Sequence, residues 1–324
     1  KIMRLASFLA AAAALFAAHD ATAQTKWDMP TPYAPGNFHT VNVEKFADGV
    51  KQATGGKLVI AVHSNASLFK MPEINRAVQT GQAQIGEVLM VVLSNENPLY
   101  DIDGLPFFAT SYDAARKLAD LQRPYIEKIL DGQGLKLLYA VPWPPQGLQV
   151  NKEINSVADM AGLNFRAYSK QTARIGELVK ANPVTIQAAE VTQALATGKI
   201  NSMISSAQSG VDYKIWESLS HFYDLQGWLP KNMVVVNKAA FNALDKAARD
   251  AVTAEAKKAE SAGWAASRAV AEATKKELAA KGIKVMAPSK QLTDDLAKIG
   301  KILLDEWLKG AGPDGAALVA AFQK

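Results

Sequence analysis

Stretches with helical spacing of apolar residues alternate along the first half of the chain with short, continuous apolar runs. The spacing predicts a helix over 39–53, which the glycines after Thr54 end. The run at 58–62 that follows is apolar without interruption, as in a strand buried on both faces. Because the same alternation continues to about residue 141, the sequence predicts an α/β fold with mainly parallel sheets.

A Pro-, Trp- and Gly-containing segment at 142–147 interrupts this rhythm and is a candidate crossing between two domains. Beyond it, the pattern predicts strands at 163–166, from 200 and at 233–236, and helices at 170–181, 190–197, 290–309 and 314–322. A run rich in Ala, Glu and Lys at 239–281 predicts either two helices or one long helix kinked near Gly263.

The first residues have the pattern of a secretory signal peptide. Lys1 and Arg4 precede an apolar run at 5–18, and the tripeptide 21–23 has small residues at both ends. The run is shorter than the ~20 residues needed to span a bilayer. We therefore expect cleavage after Ala23 and an exported chain that does not insert into the membrane.

Composition excludes several classes of function. The 36 basic and 31 acidic residues give a net charge of +5 without any cluster of Lys and Arg, which argues against nucleic-acid binding. There is no cysteine, and His39, His63 and His221 are not spaced as metal ligands, so we expect neither a metal nor a cofactor.

Signatures of catalysis are also missing from the sequence: it has no Gly-x-Ser-x-Gly elbow, no Walker loop and no Gly-x-Gly-x-x-Gly. An exported two-domain α/β protein without such motifs is expected to bind a ligand in its interdomain cleft rather than to act as an enzyme. An exported hydrolase with an unrecognised triad is the alternative from another class.

Several motifs in a fixed order resemble those of one family. They are Leu105-Pro106-Phe107-Phe108, the run 156–166 and the run 190–198. Each is weak alone, but their order and spacing resemble the periplasmic solute-binding subunits of TRAP transporters over almost all of the chain after residue 23. An ABC-type binding protein of similar shape is an alternative, against which the motif order argues.

The resemblance implies a two-domain periplasmic-binding-protein fold with a ligand cleft between the domains and a long helix that spans both. On this basis domain I comprises 24–145 with part of 207–260, and domain II comprises 146–206 with part of 260–324. It also implies a periplasmic protein whose partners are a small carboxylate ligand and the small and large membrane subunits of an importer.

Arg166, which ends the most characteristic motif, is the first candidate ligand residue. In the family the arginine of this motif forms a bidentate salt bridge with the ligand carboxylate. The chemistry supports this role, because a guanidinium offers two parallel donors to the two oxygens of a carboxylate. Arg174, further along in a predicted helix, is interpreted as a solvated or ion-paired surface residue.

Two positions depart from the family pattern. The better-known members carry a second ligand arginine where this chain has Gln146, and an asparagine where it has Ser205, followed by Ser206. A glutamine can hydrogen-bond a ligand but adds no charge. A second ligand carboxylate would then be buried without a counter-charge, which is unfavourable.

Aromatic residues complete the predicted cleft, namely Trp143, Tyr168, Phe107 and Trp228. A pocket with one arginine, a few amides and hydroxyls and several rings favours an aromatic or apolar monocarboxylate, including 2-oxo and 2-hydroxy acids, because a ring gains from burial. A sugar acid or a C4-dicarboxylate is the alternative ligand.

Overall fold

The computed structural model of the protein describes residues 24–324, so the predicted signal peptide at 1–23 lies outside the described residues. The strands are β1 (Thr25–Pro30), β2 (Leu58–His63), β3 (Ile85–Leu89), β4 (Leu135–Pro142), β5 (Gln146–Val150), β6 (Asn164–Ala167), β7 (Asn182–Thr185), β8 (Ser202–Ser206), β9 (His221–Tyr223), β10 (Lys231–Asn237) and β11 (Lys284–Met286). The helices are α1 (Phe38–Ala53), α2 (Met71–Gln79), α3 (Tyr112–Gly132), α4 (Lys170–Leu178), α5 (Val191–Ala196), α6 (Ala207–Asp212), α7 (Lys238–Ala243), α8 (Lys246–Ala280) and α9 (Lys290–Phe322).

Two lobes are defined by their sheets. Lobe I contains the parallel pair β1-β2 and the three-stranded sheet β3-β10-β4. Lobe II contains one six-stranded sheet in the order β11-β9-β5-β8-β6-β7. Their cores are built from the apolar runs, with Val88 and Val235 fully buried in lobe I and Ile204 and Phe165 in lobe II. The fold is thus α/β as predicted, while the domain bounds given above stay predictions.

The expectation of mainly parallel sheets is wrong, because β10 is antiparallel to both β3 and β4, and β5 is antiparallel to both β8 and β9. The physical reason is the path between the lobes. The chain leaves lobe I along β4 and returns along β10, and it enters lobe II along β5 and leaves along β9. Neighbouring strands with opposite directions need no crossover helix, so antiparallel pairs form on both sides of the crossing.

The long helical run forms two helices, which is the first of the two arrangements that the sequence predicted. The break falls at Leu244 and Asp245, where the Asp245 carboxylate accepts from the Ala248 N–H and caps α8 at 2.7 Å. Gly263 lies inside an uninterrupted 35-residue helix. That helix contacts α1 and β4 in lobe I and α6 and β11 in lobe II, so it spans both lobes.

The final helix has a break that the sequence predicted. Residues 290–322 are helical on both sides of Gly312, which adopts φ 67° and ψ −170° and is followed by Pro313. A positive φ at a glycine followed by proline is a stop signal for one helix and a start signal for the next. Within the described part of the chain, no helix is long and apolar enough to cross a membrane.

Candidate ligand-binding site

Two segments join the lobes and form the floor of a cleft. They are 143–145, which leads from β4 to β5, and 224–230, which leads from β9 to β10. The Trp143 N–H donates to the Pro230 carbonyl at 2.8 Å, and the Gln146 N–H donates to the Trp228 carbonyl at 3.0 Å. These bonds place the side chains of Trp143 and Gln146 between the lobes, as expected for residues at a crossing.

A narrow cavity of about 30 Å³ lies above this floor. This volume exceeds the roughly 10–15 Å³ that one water molecule needs. Five predicted site residues line it together, namely Trp143, Gln146, Arg166, Tyr168 and Ser205. The other lining residues are Tyr33, Met71, Leu89, Gln187, Ala188, Ser209, Tyr213 and Pro230.

Arg166 supplies a buried positive charge at the cavity wall. The side chain projects from β6, is 4% exposed, and donates its Nε–H to the Ile186 carbonyl at 3.0 Å. Its guanidinium carbon lies 5.1 Å from the ring centroid of Tyr168 and 6.0 Å from that of Tyr213. Within residues 24–324, no carboxylate lies within ion-pair distance of it. A buried guanidinium with aromatic faces but no counter-charge favours an anionic ligand.

Gln146 and Tyr168 belong to one hydrogen-bonded chain. The Trp228 indole N–H donates to the Tyr168 hydroxyl at 3.2 Å, which donates to Gln146 Oε1 at 3.1 Å. Gln146 Nε2 donates in turn to the Pro144 carbonyl at 3.1 Å. Burial raises the pKa of Tyr168 well above its usual value, so the hydroxyl keeps its proton and acts as a donor.

Lobe I contributes an aromatic wall. Tyr33 and Trp143 meet edge to face, with ring centroids 5.0 Å apart. Both also donate a hydrogen bond to the same acceptor, Asn232 Oδ1, the Tyr33 hydroxyl at 3.0 Å and the Trp143 indole at 3.0 Å. The shared anchor fixes both rings, which then offer a rigid apolar surface to a ligand.

Three predicted site residues lie outside the cavity lining. Ser206 follows Ser205 on β8, so its side chain faces the opposite side, where it caps α6 by accepting from the Ser209 N–H at 3.1 Å. Phe107 has φ 60° and packs against Gly300 of α9 and, edge to face, against Trp228. Trp228 is 1% exposed and supports Tyr168 from behind.

Four of the eight lining residues that sequence reasoning missed lie after the end of a strand. Tyr33 follows β1, Gln187 follows β7, and Ser209 and Tyr213 follow β8. Ligands of open α/β sheets bind outside the carboxyl ends of the strands. The position of these residues after predicted strands could therefore have indicated that they line the site. Arg174, by contrast, behaves as predicted: it pairs with Glu306 at 2.9 Å and Glu177 at 2.8 Å and does not line the cavity.

Two side-chain hydrogen bonds connect the lobes beside the cavity. The Asn37 amide donates to Asp212 at 2.7 Å, and the Gln171 amide donates to Asp101 at 2.7 Å. Burial raises the pKa of Asp212 to about 6 and that of Asp101 to about 8. Both carboxyls are therefore protonated at a higher pH than exposed ones. The protonated form is uncharged, and burying it between the lobes costs less than burying a carboxylate.

No three His, Cys, Asp or Glu side chains of residues 24–324 are grouped as metal ligands. Among the lining residues Arg166 carries a charge, and the polar groups of the others are mainly amides and hydroxyls. Such a set binds a small organic anion by ion pairing and hydrogen bonding.

Comparison with known proteins agrees with this chemistry. The Bordetella pertussis extracytoplasmic solute receptor DctP6, which binds pyroglutamic acid, is 50% identical with a TM-score of 0.91, covering 92% of this chain and 99% of that one. A TRAP solute-binding protein from a marine metagenome, specific for pyroglutamate, is 43% identical with a TM-score of 0.90, covering 93% and 99%.

A more distant relative and a family profile also match the chain. A curated solute-binding protein of Albidiferax ferrireducens is 22% identical over 223 residues, and the match spans 66% of this chain and 65% of that protein. The profile of the bacterial extracellular solute-binding proteins of family 7 matches residues 33–309. The chain therefore belongs to this family, the extracytoplasmic solute receptors of TRAP transporters.

Proposed function

We propose that this protein captures a small monocarboxylate, with pyroglutamate as the first candidate, and delivers it to a TRAP importer. The observation that carries the proposal is the buried Arg166 guanidinium, which lines the cavity and has no carboxylate partner within the described residues. A ligand carboxylate would supply the missing counter-charge through two parallel hydrogen bonds.

The charge of the cavity favours a single carboxylate. Arg166 is the only Lys or Arg among the lining residues, and Gln146 stands where better-known members have a second arginine. A second ligand carboxylate would be buried without a partner, which costs several kcal/mol even after relaxation. This argument is the reason for ranking succinate and other dicarboxylates below monocarboxylates.

Pyroglutamate also suits the neutral part of the lining. It combines one carboxylate with a small lactam ring, whose apolar carbons would pack on the Tyr33 and Trp143 rings. Two receptors that are 50% and 43% identical to this chain are described as binding it. Aromatic and apolar acids, which the sequence favoured, share the single carboxylate and remain the next class to test.

The proposed role needs no catalytic step. The signal peptide predicted at 1–23 would export the protein to the periplasm, where it would meet its ligand and then one small and one large membrane subunit. The two lobes would close around the ligand and hold it until delivery, which is a common mechanism of periplasmic binding proteins.

Calorimetry with purified protein tests the proposal. Wild type should bind pyroglutamate more tightly than benzoate, succinate or glucuronate. Arg166→Ala should weaken binding roughly 30- to 4,000-fold, because truncating one partner of a desolvated charged pair costs about 2–5 kcal/mol. Arg174→Ala is the matched control and should bind as wild type does, since Arg174 pairs with Glu306 outside the cavity.

Two results would contradict the proposal. Binding of pyroglutamate by a folded Arg166→Ala variant within a few-fold of wild type would remove Arg166 from the site. Tighter binding of succinate than of any monocarboxylate would show that another cation reaches the cavity.

A further inference from the structure

The hydrogen-bonded chain behind the cavity has a fixed direction. An indole N–H can only donate, so the Tyr168 hydroxyl oxygen must accept from Trp228 at 3.2 Å. The hydroxyl proton is then available for Gln146 Oε1, 3.1 Å away. Trp228 is 1% exposed and Tyr168 is 8% exposed, so water does not compete for these bonds in the folded protein.

The amide nitrogen of Gln146 also has a neighbour that fixes the orientation of the amide. The Pro144 carbonyl can only accept, and it faces Gln146 Nε2 at 3.1 Å. Rotating the amide by half a turn would place Oε1 against this carbonyl oxygen, two acceptors facing each other. Both neighbours therefore select one orientation of the amide, with Oε1 toward Tyr168 and Nε2 toward Pro144.

One of the two amide hydrogens of Gln146 has no acceptor among the described residues. An amide nitrogen carries two donors, and within residues 24–324 Nε2 has the Pro144 carbonyl as its one partner. Gln146 is 2% exposed and lines the cavity. A buried donor without a partner is unfavourable, and an acceptor atom on the ligand would remove that penalty.

The Gln146 amide and the Arg166 guanidinium are two separate contact points beside Tyr168. Their strands, β5 and β6, are separated by β8. The Tyr168 hydroxyl donates to Gln146 Oε1 at 3.1 Å, and its ring centroid is 5.1 Å from the Arg166 guanidinium carbon. A ligand whose carboxylate pairs with Arg166 can therefore offer a second acceptor to Gln146.

We propose that Gln146 is a specificity-determining donor, held in place by Tyr168 and Trp228, that selects monocarboxylates carrying an acceptor oxygen in addition to the carboxylate. This rests on the proposed function, and it narrows the ligand class. A lactam or ketone ring acid meets both requirements, whereas a plain hydrocarbon ring acid leaves the Gln146 N–H unpaired.

Three ring acids of similar size test this by calorimetry: pyroglutamate, 3-oxocyclopentanecarboxylate and cyclopentanecarboxylate. The second keeps the carbonyl without the lactam N–H, and the third lacks both. Wild type should bind the ketone acid more tightly than the hydrocarbon acid, on the order of 5- to 150-fold. In Gln146→Leu this ratio should fall to about one, because no donor remains for the carbonyl.

The positioning role of Tyr168 has its own readout. Tyr168→Phe keeps the ring beside Arg166 but removes the hydroxyl that holds Gln146 Oε1. The ketone-to-hydrocarbon ratio should fall toward that of Gln146→Leu, because the Gln146 amide is no longer held in one orientation. Tyr139→Phe is the matched control, since Tyr139 is 1% exposed, does not line the cavity and has a hydroxyl without a hydrogen-bond partner among residues 24–324.

The possible failures are distinguishable. If Gln146→Leu weakens the ketone and hydrocarbon acids equally, Gln146 contacts the carboxylate itself and this inference is overturned, while the proposed function stands. An unchanged ratio in Gln146→Leu overturns the inference in the same way. If wild type binds none of the three acids, the inference and the proposed ligand class both fail.

Discussion

Asp101 is a buried carboxyl that joins the lobes through a single hydrogen bond. It is 1% exposed, Oδ2 accepts from Gln171, and Oδ1 has no partner among the described residues. Burial raises its pKa from 3.8 to about 8, against the opposing effect of the Gln171 hydrogen bond, with Asp103 adding to the rise and Lys170 opposing it. The folded protein therefore holds a proton on Asp101 that the unfolded chain releases.

Asp101→Asn should stabilise the protein increasingly as pH rises. Between pH 3.8 and about 8 the native state binds more protons at this site than the unfolded state, so wild-type stability falls with rising pH. The asparagine keeps an acceptor for Gln171 and never carries the charge. We expect the difference in melting temperature between variant and wild type to be larger at pH 8.5 than at pH 5.

The control for this prediction is Asp48→Asn, which removes an exposed carboxylate from α1. Its melting temperature should track wild type at both values of pH. A difference between Asp101→Asn and wild type that is the same at pH 5 and pH 8.5 would show that Asp101 titrates normally in the folded protein.

At the scale of elements, α8 approaches lobe I closely because residue 263 has no side chain. A Cβ at Gly263 would lie 2.4 Å from Val141 Cγ2 and 3.0 Å from Asn42 Nδ2. Val141 is branched and buried, and Asn42 donates to the Ala259 carbonyl of the same helix at 3.1 Å, so neither can withdraw freely. The glycine sets the distance between the spanning helix and β4.

Gly263→Ala should lower the free energy of unfolding. Overpacking costs about 1–3 kcal/mol, which exceeds the gain of up to about 1 kcal/mol in helix propensity. Gly310→Ala in α9 is the matched control: nothing lies within 4 Å of its added Cβ, so propensity alone acts and stability should rise by about 0.4–1 kcal/mol. Urea denaturation measures both, and equal signs would contradict the argument.

At the scale of the whole molecule, a hydrogen bond of 2.7 Å from the Asn37 amide of lobe I to Asp212 joins it to lobe II. Asn37 has a second role, because its Oδ1 accepts from the His39 N–H at 2.8 Å and caps α1. Asn37→Ser keeps a capping oxygen but is too short to donate to Asp212. We expect pyroglutamate affinity to fall by roughly 10-fold without loss of stability of α1.

Small-angle scattering separates closure from simple loss of a contact. Wild type should have a smaller radius of gyration with pyroglutamate than without it, and Asn37→Ser should require more ligand to reach the same value. Asn242→Ser, an exposed change in α7, is the control and should match wild type. An unchanged affinity for Asn37→Ser would show that this hydrogen bond does not contribute to the closed state.

Local patterns in the sequence were sufficient to identify most helices and the central strands. The 3.6- and two-residue periods, with glycine and proline as stops, act over a few neighbouring residues, which is why they are readable without the fold. They placed the segment that joins the lobes near residue 143 and the break between the last two helices near Gly312. The motif that ends at Arg166 was equally visible, because its residues are contiguous.

Only the tertiary structure decided which side chains meet. The antiparallel pairing of β10 with β4, the donation from Trp228 to Tyr168 sixty residues away and the bond from Asn37 to Asp212 across 175 residues all depend on the path of the chain between the lobes. No local period encodes such contacts. For the same reason Trp228 and Phe107 could be predicted near the site, yet their place behind the lining follows from packing against Tyr168 and α9.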